Sequence, residues 1–386
     1  MCYLYKLRDW IDEEKINWPY LSSNPNAIYF LEQNPDKINW IHLSRNKNAI
    51  YILEKNLDKL DKEINWTFMS KNPNAIRLLE KNPHKIKWSF LSENINAIPL
   101  LENNLDKVSW RYLSSNPNAI PILEQNLDKI NWKFLSKNPN AIHLLEQNPD
   151  KINWYSLFEN PNAIHIIEKN LNKLDETKIC WDILSRNPNA VHILEKNLDK
   201  ISWINLSENP NAIHIIEKNL DKISWYYLTR NPNAVHILEK NLDKIHWKYF
   251  HMNPNAIHIL EQNLDKVSWY WLSKNPNAVH ILEKNIDKIQ WYWLSKNPDA
   301  IHILEKNLDK INWMTLSENP NAIDILGNNI DKVDWDRLSE NPSIFELDYE
   351  FLKKRMDILR EELMMKAWHP NRVMKWVESG FDMEDL

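Results

Sequence analysis

Eight histidines recur at one place in a repeated phrase: His143, His165, His192, His214, His236, His258, His280 and His302. Imidazole is a common metal ligand, and its charge changes near neutral pH. A row of this kind therefore raises metal binding or a pH-responsive surface. Each histidine is followed three residues later by a glutamate, as His214 is by Glu217. The spacing argues against a metal. Packed helices lie about 8–10 Å apart, so one histidine per repeat cannot bring two nitrogens to the ~2.0–2.1 Å that zinc requires. No metal and no cofactor is expected. A solvated face inherited from duplication, a recognition stripe and a surface that charges together below about pH 6 all stay open for this row.

The second set is aromatic: Tyr226, Tyr227, Tyr249, Tyr270, Trp271, Tyr292 and Trp293. Neighbours in a helix diverge by about 100°, so pairs such as Tyr270–Trp271 are hard to bury together. Exposed Tyr and Trp are enriched where proteins bind one another. These residues are the candidate partner-binding surface. The acids and histidines come as ladders, whereas catalysis needs one pocket with unequal carboxylates, so an enzyme is not expected.

The repeat sets where both groups stand. Fifteen tryptophans, from Trp18 to Trp335, follow one another at 22-residue intervals, broken by four added residues before Trp66 and five before Trp181. Fourteen rungs are complete from 18 to 334, and a fifteenth begins at Trp335 and decays. With Trp as position 1, the preceding residue is Asn or Ser in ten of the fourteen complete rungs, an N-cap preference. Helix A then carries Trp at position 1 and usually Leu at position 4. Asn at position 7 and Pro at position 8 suggest a second N-cap with proline at the first helical turn. Helix B is expected to run through "PNAIHILEKN" and stop at Asn in position 17, a residue tolerated in the left-handed cap.

In the rung that starts at Trp203, Ala212, Ile213, Ile215, Ile216 and Asn219 share one side of helix B, and His214 points away. A pair of such short helices cannot cover that stripe, but stacking on neighbours can. The expected fold is all-α: an α-solenoid of 22-residue helix–turn–helix repeats with distinct terminal caps, forming an arc of about 110–140 Å at ordinary helix spacing. Residues 1–17 read as an N-terminal cap built from a degenerate repeat, 18–342 as the solenoid, and 343–386 as a helical cap or docking segment. In that last segment Leu352, Met356, Leu359, Leu363 and Ala367 form an amphipathic stripe, and a short helix follows from Pro370 to Gly380.

Composition narrows the function. The chain has 386 residues, a formal charge of −5, and only two glycines, Gly327 and Gly380. Phosphate loops and nucleophile elbows need more glycine than this, and a dedicated nucleic-acid binder usually carries a basic excess. The two cysteines, Cys2 and Cys180, supply neither a disulfide framework nor a cysteine zinc site. No apolar run approaches the roughly 18 residues of a membrane span, so a soluble intracellular chain is expected.

The unit "LSxNPNAIxxLExNxDKIxW", joined to the tail "KKRMDILREELMMKAWHPNRVMKWVESGFDMEDL", resembles repeat proteins encoded by giant nucleocytoplasmic DNA viruses. The resemblance covers residues 18–386. It implies a viral protein made in the cytoplasm of an infected single-celled eukaryote, with the virus factory or the virion as possible sites. It implies no activity and carries no functional residues over. The leading expectation is a non-enzymatic scaffold that binds a host or viral protein along the solenoid. The alternatives are a structural component of the particle or factory, and repeat-based binding of single-stranded nucleic acid. Self-association stays open, nucleic acid is a weaker expectation, and no membrane partner is expected.

Overall fold

The structure is a computed structural model that describes residues 5–60 and 63–379. Its rungs alternate short helices, as in Trp203–Glu208 (helix A) and Ile213–Glu217 (helix B). Position 4 of helix A and positions 10, 13 and 14 of helix B interleave into one core. Leu206, Ala212 and Ile216 are wholly buried and Ile215 nearly so. The A helices pack side by side along the array and form its tighter wall.

Helix B is shorter than its sequence suggests. The segment Asn209–Ala212 is a turn, and helix B opens at Ile213 behind Ala212, which makes no side-chain cap bond. Asn209 instead closes the turn, its Oδ1 accepting from Asn211 N at 3.0 Å. Nor is the residue at position 17 left-handed. Asn241, for example, has φ −137°, and Asn219 donates its carboxamide to its own helix, at Ile215 O, 2.9 Å away. The asparagine caps on helix A do form, whereas Ser109, Ser224 and Ser268 make no side-chain cap bond. Asn39, Asn131, Asn153 and Asn312 each accept a backbone N–H from the first turn.

What joins one rung to the next is a ladder of buried polar groups. Asn209 Nδ2 donates to Ser185 O and Asn187 O of the preceding rung, both at 3.0 Å, and Asn211 Nδ2 donates to Pro188 O at 3.0 Å. Ser207 Oγ donates to Trp203 O and accepts the N–H of Ser224 in the following rung. The same bonds recur along the array. They lapse where the register is disturbed: after the first insertion, part of which lies outside the described residues, Asn72 Nδ2 is buried without a partner. The second insertion is taken up in two 3-10 turns, Leu171–Lys173 and Glu176–Lys178.

The array does not end as an arc. Its first rung packs on its fifteenth with the same ladder. Asn24 Nδ2 donates to Ser339 O and Asn341 O at 3.2 and 3.0 Å, Asn26 Nδ2 to Pro342 O at 3.1 Å, and Asn17 N to Ser339 Oγ at 2.9 Å. The solenoid is a closed ring. At about 8–10 Å per rung its circumference is about 120–150 Å and its diameter about 40–50 Å.

The fifteenth rung is assembled from both ends of the repeat region. Helix Trp335–Glu340 supplies its A half, and residues 5–17 supply the remainder. Strand β1 (Tyr5–Leu7) pairs antiparallel with β2 (Phe345–Leu347), a small departure from the all-α expectation. Arg8 donates Nε to Ser343 O at 2.9 Å and pairs with Glu346 at 3.2 Å. Lys15 sits over the Trp335 ring, 5.4 Å from its centre, as Lys222 sits over Trp203 within one ordinary rung. Residues 5–17 therefore close the ring, and neither end of the stack is left to be capped.

Closure also explains a departure from the repeat. Position 15 is Glu in thirteen rungs but Gly327 in the fourteenth. A Cβ placed on Gly327 would stand 3.0 Å from Trp10 Nε1 and 3.1 Å from its ring carbon. Trp10 occupies the space that the glutamates fill elsewhere.

The tail after 347 leaves the ring. Helix Tyr349–Ala367 has no buried residue, and Met356, Leu359 and Leu363 of its expected stripe are 63%, 47% and 68% exposed. That exposure is opposite to what a cap would show. A second helix runs Pro370–Glu378, and its expected end at Gly380 lies outside the described residues.

Two outcomes follow. Removing a ladder carboxamide, as in Asn209→Ala, takes the donor from Ser185 O and the acceptor from Asn211 N, while Asn187 O keeps the Ala190 N–H. It is expected to cost about 1–3 kcal/mol per unsatisfied group, measured as a fall in the urea midpoint. Gly327→Glu, which restores the consensus residue, displaces Trp10 and costs a similar overpacking penalty of about 1–3 kcal/mol. Small-angle scattering should show a larger radius of gyration than the parent, whereas Glu217→Gly in an ordinary rung should leave the radius unchanged.

Candidate functional site

The histidine row lies on helix B, half exposed, and each imidazole meets the position-15 carboxylate of the preceding rung. His214 Nε2 is 2.6 Å from Glu195, His236 2.6 Å from Glu217, and His165 2.8 Å from Glu146. His192 pairs with Glu168 at 3.2 Å, and His143 pairs with Glu124. The contacts lengthen to 3.8 Å at His258 and 3.6 Å at His280 and His302. Lysines at position 16 join the same acids, Lys196 to Glu168 and Lys284 to Glu261, both at 3.2 Å. Hydrogen bonds from Lys196 and then His192 hold the Glu168 carboxyl below its ordinary range, and Lys284 leads the same effect on Glu261. Solvent screens these exposed pairs, so each adds little to stability. They lace helix B rung to rung and engage the histidines within the molecule. Among the described residues no three His, Cys, Asp or Glu side chains gather where a metal ion could be held.

The aromatic residues lie on helix A, and the structure groups them into two clusters. In the first, Tyr226 packs edge to face on Tyr227, on Tyr249 of the next rung and on His246, with centroids 4.9, 5.1 and 5.2 Å apart. A hydrogen bond with Tyr249, followed by burial, pushes the Tyr226 hydroxyl above its ordinary pKa. In the second, Tyr270 packs edge to face on Trp271 and on Trp293 of the next rung at 4.8 and 5.2 Å, and Tyr292 lies 5.0 Å from Trp293. Position 2 of one rung therefore meets position 3 of the next. Tyr270 and Tyr292 stay about two-fifths exposed, and the other five residues are half-buried.

Between the clusters the ladder is weakened. Position 5 is Ser or Thr in thirteen rungs but Phe158 in the seventh and His251 in the eleventh. His251 has no hydroxyl to accept the following rung's N–H. It stacks flat on Trp271, with centroids 4.5 Å apart and planes 6° apart. Asn275 then reaches His251 O at 3.5 Å, beyond the 2.8 to 3.4 Å that the corresponding bonds span in rungs that keep the hydroxyl. A cleft of about 400 Å³ opens here, lined by His251, Met252, Pro254, Trp271, Lys274 and Asn275 among others. His251 Nδ1 is shut off from solvent, and burial, outweighing a hydrogen bond with the Lys248 backbone, lowers the pKa of the imidazole. A second cleft of about 590 Å³ lies beside Phe158, bordered by Tyr155, Glu159, Asp182 and Arg186. Both openings fall where the serine is missing.

Charge is uneven around the aromatic sector. Positions 2, 3 and 6 of its four rungs carry no acid. At the borders Arg230 pairs with Glu208 and Lys296 with Glu318. Lys248 and Lys274 in the middle meet rings instead: Lys248 lies 5.4 Å from the Tyr249 centre, and Lys274 lies 4.9 Å from Trp293. Sequence reasoning picked out the aromatic residues but not His251, Met252 or Lys274. The available signal was the loss of serine at position 5.

No family model matches the chain, and neither a curated protein nor a solved structure is similar to it. Among the described residues no helix is long and apolar enough to cross a membrane.

The lowered His251 pKa has a testable sign. The folded ring binds this proton more weakly than the unfolded chain does, so its stability should fall as pH drops below the ordinary imidazole value of 6.5. Tryptophan emission followed from pH 7 to about pH 5 should show a transition near Trp271. His251→Ser should abolish it while restoring the serine bond to Ser268 N.

Proposed function

We infer that the ring is a non-enzymatic scaffold that holds a protein partner on helix A of rungs 10 to 13. The observation that carries this is the acid-free sector of seven aromatic side chains, interrupted by a cleft where the ladder weakens. Aromatic residues in such settings give large contact area at small entropic cost. The surface is also pre-organised, since each ring is held by its neighbours and each rung by the ladder, and pre-organisation lowers the ordering cost of association. The histidine row, already engaged with glutamates, is the weaker candidate. With the resemblance to giant-virus repeat proteins, we propose a scaffold working in the cytoplasm of an infected host cell.

A second reading, a structural component of the particle or factory, is favoured by the helix Tyr349–Ala367. Its exposed apolar side chains suit assembly with another surface.

Affinity capture from a single-celled eukaryotic host tests the first reading. The variant Tyr270→Ala, Trp271→Ala, Tyr292→Ala, Trp293→Ala should lose most of the captured proteins, and His214→Ala, His236→Ala, His258→Ala should keep them. Equal yields of the same proteins with parent and aromatic variant would remove the contact zone from consideration.

A further inference from the structure

We propose that the cleft between rungs 11 and 12 takes an acidic peptide segment, inserting one apolar side chain between Met252 and Trp271 and placing its carboxylates on Lys274 and Lys248. This rests on the protein-binding reading and narrows it to a chemistry.

Three observations converge on it. The cleft is about 400 Å³ with apolar walls from Met252, Pro254 and the Trp271 indole, room for a Leu or Phe side chain with adjoining backbone. Met252 stands 56% exposed at its rim, replacing the polar or charged residues that hold position 6 in the other rungs. The wall between Met252 and Trp271 is the His251 imidazole, stacked flat on Trp271 with centroids 4.5 Å apart, so the cleft floor is held rigid for the inserted side chain.

Charge selects the partner. Lys137 and Lys296 at position 6 reach a glutamate on the next rung, each at 2.6 Å, but the neighbours of Lys274 at that position are Met252 and Lys296. Its ammonium rests over the Trp293 and Trp271 rings at 4.9 and 5.8 Å. Lys248 likewise rests beside Tyr249. A carboxylate arriving from outside meets cations that have no competing acid on the A-helix positions around them.

The same packing disfavours a nucleic-acid strand. A strand-binding platform needs open ring faces on which bases stack, along a cationic groove that follows the backbone. Here the Trp271 face is covered by His251 and the Trp293 ring by Lys274 and Tyr270. The two unpaired lysines belong to adjacent rungs, with Glu208 and Glu318 closing the sector on either side.

The test is fluorescence anisotropy on the full chain with a labelled peptide in which Glu and Asp alternate with Phe and Leu. A control peptide carries Gln and Asn at the acidic positions, and a second probe is oligo-dT. The acidic peptide should bind, weaken with added salt, and bind at least about tenfold more tightly than the neutral control. Lys274→Glu and Met252→Asp should each weaken it about tenfold, while Lys218→Glu on helix B should not. Each variant's melting midpoint, compared with the parent's, separates loss of binding from loss of fold. Equal binding of acidic and neutral peptides, or tighter binding of oligo-dT, would overturn the proposal. If the peptide fails to bind while the aromatic variant still loses its captured proteins, the scaffold reading stands and the acidic-peptide assignment falls.

Discussion

The buried carboxamide at position 7 is the interaction on which the architecture depends. Asn24, Asn46, Asn138, Asn209 and Asn319 are all at most 2% exposed, and each spends both Nδ2 protons on carbonyls of the rung before it while its Oδ1 closes its own turn. A buried amide that leaves these bonds unmade costs more than the bonds return when made, so the ladder acts chiefly by penalising every other register. Apolar stacking alone would let one short helix pair slide on the next. The carboxamide fixes the offset at one rung, and the serine at position 5 fixes it again.

A ladder repeated with constant geometry must curve by a constant angle, and the A helices, packed more closely than the B helices, set the direction of that curvature. Closure then follows from the number of rungs. The fifteenth rung is split between the two ends of the repeat region, so the bonds that join it are the same as those within the array, with the strand pair and the Arg8–Glu346 contact added. Ring closure removes both exposed faces of the stack, which otherwise would need polar caps. Gly327 is the local cost of this arrangement, a consensus glutamate given up so that Trp10 has somewhere to lie.

Where the repeat is kept, the surface is occupied with itself: histidine with glutamate, lysine with tryptophan, acid with base across each step. Where it is broken, groups are left over. His251 and Phe158 each remove a hydroxyl that the ladder uses, and a cleft stands beside each. The second is walled by Glu159, Asp182 and Arg186, charges of both signs. The first has aromatic walls and lysines whose nearest partners are rings, which is why it, and not the histidine row, carries the functional argument.

The sequence by itself determined the rung. The 22-residue period, the caps before Trp, the apolar side of helix B and the outward direction of His214 are local consequences of helical geometry, and residues within one rung suffice to state them. It also marked Tyr226, Tyr270 and Trp293 as aromatic residues hard to bury. Only the tertiary structure decided what the asparagines do, because their partners lie 22 and 24 residues away in a periodic text where every neighbour reads alike. Ring closure depends on a still longer pairing, Asn24 with Ser339 and Asn341, and on the curvature summed over all rungs, which no single period contains. The glutamate partners of the histidines were invisible for the same reason: within its own rung Glu217 stands about 60° round the helix from His214, and only stacking brings Glu195 directly to it.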